Sequence, residues 1–209
     1  MSTPTDVQIA QDAADPAAVL TVLASGQWPG GPDDELPAVA GFVVSEFSPL
    51  AAALADLCLL GYFGSPPADP GRGERTAIVL ASSTGDVGTA AAVARAVQDG
   101  RRVPPLLFYQ SNPNAVAGYI AARWGLAGPV VCTMPTGDPL TDALASASLL
   151  ITDGDADAAL VVVADAGLAG PAEGTALLVG PVSWPSARAG GTESTRLGTW
   201  TPSPGERSL

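Results

Sequence analysis

The sequence predicts an α/β fold, a three-layer α/β/α sandwich around a largely parallel sheet, on three observations. Thr76 to Ala81 and Ala158 to Ala164 are apolar runs of strand length without polar alternation, as expected of internal strands covered on both faces. Segments of helical character bounded by Pro and Gly separate such runs along the chain. The composition is 47% hydrophobic but only 5% aromatic, so the core is built from Ala, Val and Leu, which let helices lie close to a sheet.

Taken in order, Asp6 to Ala10 reads as a short first strand, and Asp15-Pro16 places an N-cap and a first-turn proline ahead of a helix reaching about Leu23. Gly26 to Pro37 reads as a turn-rich loop. Ser48-Pro49 repeats the cap-plus-proline signal, and Leu50, Leu54, Leu57 and Cys58 recur at helical spacing before Gly61 and Gly64, which predicts a buried helix. Pro66 to Arg75 is read as a connecting loop. After the strand Thr76 to Ala81 come a helix from Thr89 to Gln98 ended by Gly100, the segment Val103 to Tyr109, a helix from about Asn114 to Trp124 and a strand from Val130 to Thr133. A helix from Pro139 to Thr152, the strand Ala158 to Ala164 and a last strand from Thr175 to Val179 complete a five-stranded sheet. From Val182 onward Pro, Gly, Ser, Thr and Arg dominate and no apolar period survives, so residues 1–181 are expected to form one domain and 182–209 a flexible tail.

With 209 residues the chain is long enough for one proper core, and its net charge of −12 disfavours nucleic acid and anionic membranes as partners. All nine cations are arginines, and only Arg101-Arg102 are adjacent. Cys58 in a helix and Cys132 in a strand fit reduced, buried thiols better than a disulfide framework, which implies a cytoplasmic chain. Met1-Ser2-Thr3-Pro4 does not open a signal peptide, and no long apolar stretch is present to span a membrane. The absence of histidine excludes histidine triads, histidine metal sites and histidine acid–base catalysis within these residues, and the absence of lysine excludes Schiff-base chemistry.

Chemistry concentrates between Gly118 and Asp165. A helix ends at Trp124-Gly125-Leu126-Ala127-Gly128-Pro129, the strand Val130-Val131-Cys132-Thr133 follows, and a helix opens near Gly137-Asp138-Pro139. It closes at Asp153-Gly154-Asp155-Ala156-Asp157, ahead of the next strand. A nucleophile is expected where the strand turns into the helix, and Gly137 stands there. Asp138 beside it is a good N-cap that places a carboxylate at the helix start.

This ungapped arrangement resembles the N-terminal half of a β-ketoacyl synthase. The preceding stretch Phe108-Tyr109-Gln110-Ser111-Asn112-Pro113-Asn114-Ala115-Val116-Ala117-Gly118 resembles that family's segment before its central helix, and Ser82-Ser83-Thr84-Gly85-Asp86 sits where such half-domains carry a glycine loop. The resemblance implies a thiolase-like half-domain whose sheet is mixed but mostly parallel. It places the family's catalytic cysteine at Gly137 and its acidic residue after the following strand at Asp165. A synthase needs a thiolate at that helix start and two histidines from its second half, whereas this sequence offers glycine, no histidine and no second half. The chain is therefore similar to the chain-length factors of type II polyketide systems, non-catalytic subunits that pair with an active synthase, and most of all to their short forms, a class linked to polyene assembly.

The resemblance implies a heterodimer with a catalytic ketosynthase, no cofactor, no metal, and contact with carrier-protein-bound chains only through the partner. Val130, Val131, Cys132, Thr133 and Met134 would form the pairing edge, and Phe108, Tyr109, Asn112, Asn114 and Tyr119 would approach the partner's acyl tunnel. Two other readings stand beside it. A stand-alone acyl-thioester enzyme would use Cys132, though no base is near it in sequence. A flavodoxin-like module would hold a flavin phosphate in the Ser82 to Asp86 loop. The carboxylates Asp153, Asp155 and Asp157 lack the rest of a calcium loop and are read as solvated.

Overall fold

The computed structural model describes residues 20–31, 33–166, 170–181 and 183–184. They form one five-stranded sheet in the order β1-β5-β4-β2-β3, with β1 Leu20–Trp28, β2 Thr76–Ala81, β3 Val130–Thr133, β4 Ala158–Asp165 and β5 Glu173–Pro181. Strands β2, β3 and β4 are parallel, and β5 runs antiparallel to both β4 and β1. Four strands thus share a direction and β5 is reversed, giving the mixed, mostly parallel sheet the sequence predicts.

The first strand differs from the expectation. The helix expected up to Leu23 and the loop from Gly26 give way to β1, while Asp6 to Ala10 lies outside the described residues. β1 pairs with β5 from Leu20 opposite Pro181 to Trp28 opposite Gly174, with a bulge between Val22 and Ala24. The bulge reverses the alternation, so that Leu20 joins the core on one face and Ala24 the core on the other. Gly26 is part of the strand because helix α1 crosses it closely: a Cβ there would lie 2.9 Å from the Cys58 nitrogen.

Helix α1, Phe47–Phe63, buries Leu50, Leu54 and Cys58 against β1, β4 and β5, as its spacing predicts, but its fourth core residue is Leu59 in place of the expected Leu57, which is 44% exposed. Its cap is not Ser48: the Ser45 hydroxyl accepts the Ser48 N–H at 2.9 Å, and Ser48 is already helical. Between α1 and β2, the expected loop contains one turn of helix, α2 Pro70–Gly73. Three helices join β2 to β3: α3 Val87–Gln98, α4 Pro105–Gln110 and α5 Pro113–Trp124. One helix, α6 Pro139–Thr152, joins β3 to β4.

Each sheet face has its own core. Ile78, Leu80, Leu160, Val162 and Leu178 meet α1 and α5 on one side. Ala77, Val79, Val161 and Val179 meet Ala143, Leu144 and Ala147 of α6 on the other. Such small residues bring α6 close to the strands. Gly128 accounts for the Gly-Pro pair ahead of β3: a Cβ there would collide with the Thr76 carbonyl, and Pro129 O then accepts the Ile78 N–H to start the β2–β3 ladder. Beyond β5, Trp184 still packs against the α1-side core, and the rest of the expected tail lies outside the described residues. Among the described residues no helix is long and apolar enough to cross a membrane.

Candidate functional site

The chain leaves β2 for one face, returns through α5 as β3, and leaves β3 through α6 on the opposite face. Neighbouring parallel strands whose connections diverge in this way open a crevice beyond their carboxyl ends, the usual place for a site in such sheets. A cleft of about 530 Å³ lies there, lined by Ser82 and Gly85 after β2, by all of β3 with Met134, by Asn112, Pro113 and Asn114 at the start of α5, and by Phe47 and Leu80.

Of the residues singled out from sequence, Asn112, Asn114, Val130, Val131, Cys132, Thr133 and Met134 meet in this cleft. Asn112 caps α5, its Oδ1 accepting the Asn114 N–H at 3.0 Å. Phe108, Tyr109 and Tyr119 do not line it: Phe108 is 80% exposed on α4, while Tyr109 and Tyr119 each set their rings 6.3 Å from that of Phe42.

Among the described residues strand β3 is an open edge of the sheet. Pro129 O and Thr133 O accept from Ile78 and Ser82 of the β2 side, so by alternation Val130 and Cys132 turn their N–H and C=O groups away from the sheet. Val130 is 43% exposed. The Thr133 Oγ1 is buried without a hydrogen-bond partner.

The turn from β3 into α6 carries no cysteine. Gly137 is exposed, its φ lies outside the positive region, and an added Cβ would find only the Asp142 carboxylate, at 3.8 Å. Nothing in the backbone requires glycine there. Asp138 is the N-cap of α6: its Oδ2 accepts the Thr141 N–H at 2.8 Å, and hydrogen bonding from Thr141 holds its carboxyl below the ordinary range. The helix start is thus served by the protein's own carboxylate.

Cys132 is a poor candidate nucleophile, because burial pushes its thiol up. Among the described residues no charged side chain lines the cleft to counter that shift. Cys58 is buried on the sheet-facing side of α1, and desolvation pushes it up to about 12.

The Ser82 to Asp86 loop is corrected as a phosphate site. Asp165 Oδ1 accepts from the Ser82 hydroxyl at 2.7 Å, the Ser83 N–H at 2.8 Å, and the Thr84 N–H and hydroxyl at 3.2 Å. Ser82 Oγ accepts the Gly85 N–H at 2.8 Å. The donors a phosphate would use are held by a carboxylate, which would repel it. Asp86 caps α3 through Thr89 instead of facing a ligand.

Sequence reading missed Asp165 as the knot of this loop, although it singled the residue out, because its partners lie more than 80 positions away. It also missed Gln110, which is buried and bonded to Thr89 and Val43. Asp157, of the acidic turn, pairs with Arg75 at 2.9 Å.

Residues 70–172 match the family model described as the N-terminal domain of β-ketoacyl synthase. No curated protein matches the sequence. Among solved structures, a chain of the ketosynthase (ApeO) in complex with its chain length factor (ApeC) from Xenorhabdus doucetiae is similar, with 17% identity and a TM-score of 0.60 over 78% of this chain and 79% of that one. A chain of the ishigamide ketosynthase/chain length factor has 18% identity and a TM-score of 0.64 over 81% of this chain and 64% of that one. A β-ketoacyl synthase from Burkholderia phymatum has 14% identity and a TM-score of 0.64 over 78% and 59%. The chain spans less than two thirds of the length of the latter two. Taken together, residues 70–172 are similar in sequence to a ketoacyl-synthase N-terminal domain, and the described chain has the thiolase-like fold of the ketosynthases.

Proposed function

We propose that this chain is a non-catalytic subunit, similar to a chain-length factor, that forms a heterodimer with an active ketosynthase in type II polyketide, and within it polyene, biosynthesis. The partner supplies the cysteine and the histidines. This chain completes the interface and shapes the acyl tunnel, and carrier-protein-bound chains reach the complex through the partner. Both subunits work in the cytoplasm.

One observation carries the reading: the cleft that opens where the family turns its strand into the nucleophile-bearing helix has Gly137 and the capping Asp138 at that turn, and its floor is an open strand edge. An unpaired edge of a sheet is a template for another strand. Val130 and Cys132 offer two N–H and two C=O groups. An antiparallel partner strand centred opposite Val131 would use all four. Asn112, Asn114 and Thr133 then stand at the seam, where a chain entering from the partner would meet them. The solved complexes of ketosynthases with chain length factors, similar in fold, support the pairing.

The test is co-expression with the ketosynthase encoded nearest to this chain, followed by size-exclusion chromatography. The two are expected to elute as one species of their summed mass. Separate elution, together with a synthase fully active alone, would sink the proposal.

A further inference from the structure

The cleft beyond β2 and β3 passes from an exposed rim to a buried inner end. Asn112, Asn114, Val130 and Met134 are exposed at the rim. Phe47, 1% exposed, and Leu80 close the inner end, with Cys132 opposite Leu80 in the β2–β3 register. Phe47 is the bulkiest residue of the lining, and it comes from α1, an element to which neither the spacing nor the family resemblance directs a site. It is the first residue of that helix, whose opening turn is fixed by the Ser45 hydroxyl accepting the Ser48 N–H at 2.9 Å. The ring also belongs to the α1-side core, so it is held where it stands.

The buried part of the cleft has no side-chain hydrogen bond to offer. The Ser82 hydroxyl is spent, donating to Asp165 Oδ1 at 2.7 Å and accepting the Gly85 N–H at 2.8 Å. The Thr133 Oγ1 is itself buried, away from anything that enters. Among the described residues no charged side chain lines the cleft. A charged group reaching the inner end would lose its water and find no counter-charge, and a carbonyl or hydroxyl there would meet the same cost in smaller measure.

We infer that Phe47 is the specificity-determining residue of this cleft, the ring against which an incoming chain stops, and that the chain end which reaches it is an uncharged hydrocarbon. This rests on the heterodimer reading above; it names the residue that ends the tunnel and the chemistry of the chain end that the tunnel accepts. Shortening Phe47 deepens the cleft toward α1 and leaves the sheet intact, whereas Leu80 and Cys132 are part of the strands themselves.

The full chain is co-expressed with the same ketosynthase as wild type, Phe47→Leu, Phe47→Ala and Phe63→Leu. Pairing is read by size exclusion and product length by mass spectrometry. Phe63, buried at the far end of α1 and outside the cleft lining, is the control. Phe47→Leu and Phe47→Ala are expected to shift the products to longer chains, and Phe63→Leu to leave them unchanged. The wild-type complex is also offered carrier protein loaded with octanoyl or suberoyl chains, equal in length and ending in a methyl group or a carboxylate. The octanoyl chain is expected to be extended at least about ten-fold faster. Unchanged product lengths in a paired Phe47→Leu or Phe47→Ala complex overturn Phe47 as the stop. Equal extension of the two primers overturns the hydrocarbon chain end, and this comparison uses the wild type alone, so it stands even where a variant fails to fold. Failure of the wild type to bind the synthase overturns the heterodimer and this inference with it.

Discussion

Asp165 Oδ1 accepts the Ser82 hydroxyl at 2.7 Å, tying the carboxyl end of β4 to that of β2. Two backbone N–H groups and the Thr84 hydroxyl converge on the same oxygen, so the loop beside the cleft is shaped around a carboxylate of the protein itself. Charge-assisted bonds of this kind are stronger than neutral ones. Asp165→Ala is expected to cost about 1–2 kcal/mol in urea unfolding at neutral pH, and Asp165→Asn, which keeps an oxygen acceptor, less. Wild-type stability in Asp165→Ala would show that the knot is not holding the loop.

Gly137 is free of any backbone demand for glycine, with only the Asp142 carboxylate, at 3.8 Å, near its Cβ position. Gly137→Ala should therefore stabilise the chain by about 0.4–1 kcal/mol through the unfolded state. A clear loss of stability, read from the urea midpoint, would restore a structural role for this glycine and weaken the view that it replaces a reactive side chain.

How much of this was legible in the sequence varies with the range of the interactions. Strand β3 and helix α6 fall where Gly128-Pro129 and Asp138-Pro139 punctuate the chain, because their boundaries are set by local backbone chemistry. Strand β1 was misread because its two determinants are distant: its partner β5 lies some 150 positions on, and Gly26, a turn signal by itself, is there to admit α1. Asp15-Pro16 is an equally good local signal for a helix, and tertiary pairing decides the state of Leu20 to Leu23. The cleft residues of β3 and the start of α5 could be found only through the family resemblance, which also offered Phe108, Tyr109 and Tyr119 from outside the cleft. Gln110 could not, since a glutamine between Tyr109 and Ser111 gives no sign that both ends of its amide are bonded to Thr89 and Val43.

Burial holds the Cys58 thiol at about 12 against an ordinary value of 9.0. The folded state thus disfavours the thiolate, and the unfolded chain ionises first. Stability is fully present below pH 9.0 and falls as pH rises toward about 12. Cys58→Ala should remove much of this alkaline dependence while lowering stability at neutral pH through the cavity it leaves. Chemical unfolding across that range, with the two proteins compared, checks the sign; parallel curves would contradict it.

Val130 turns its N–H away from β2, so proline there removes a donor that only a partner strand would use. Val130→Pro is expected to leave the free subunit folded and to abolish co-elution with the synthase. Val131→Pro, which breaks the β2–β3 ladder itself, should destabilise the free subunit. Retained co-elution in Val130→Pro would place the interface elsewhere.

The central claim, a subunit that serves a ketosynthase without carrying the reaction, is tested most directly by intact-mass spectrometry of both proteins after incubation together with an acyl carrier protein thioester. The acyl group is expected on the synthase alone, with this chain unmodified and the products of the pair differing from those of the isolated synthase. An acyl adduct on Cys132 would contradict the account and make this chain an enzyme in its own right.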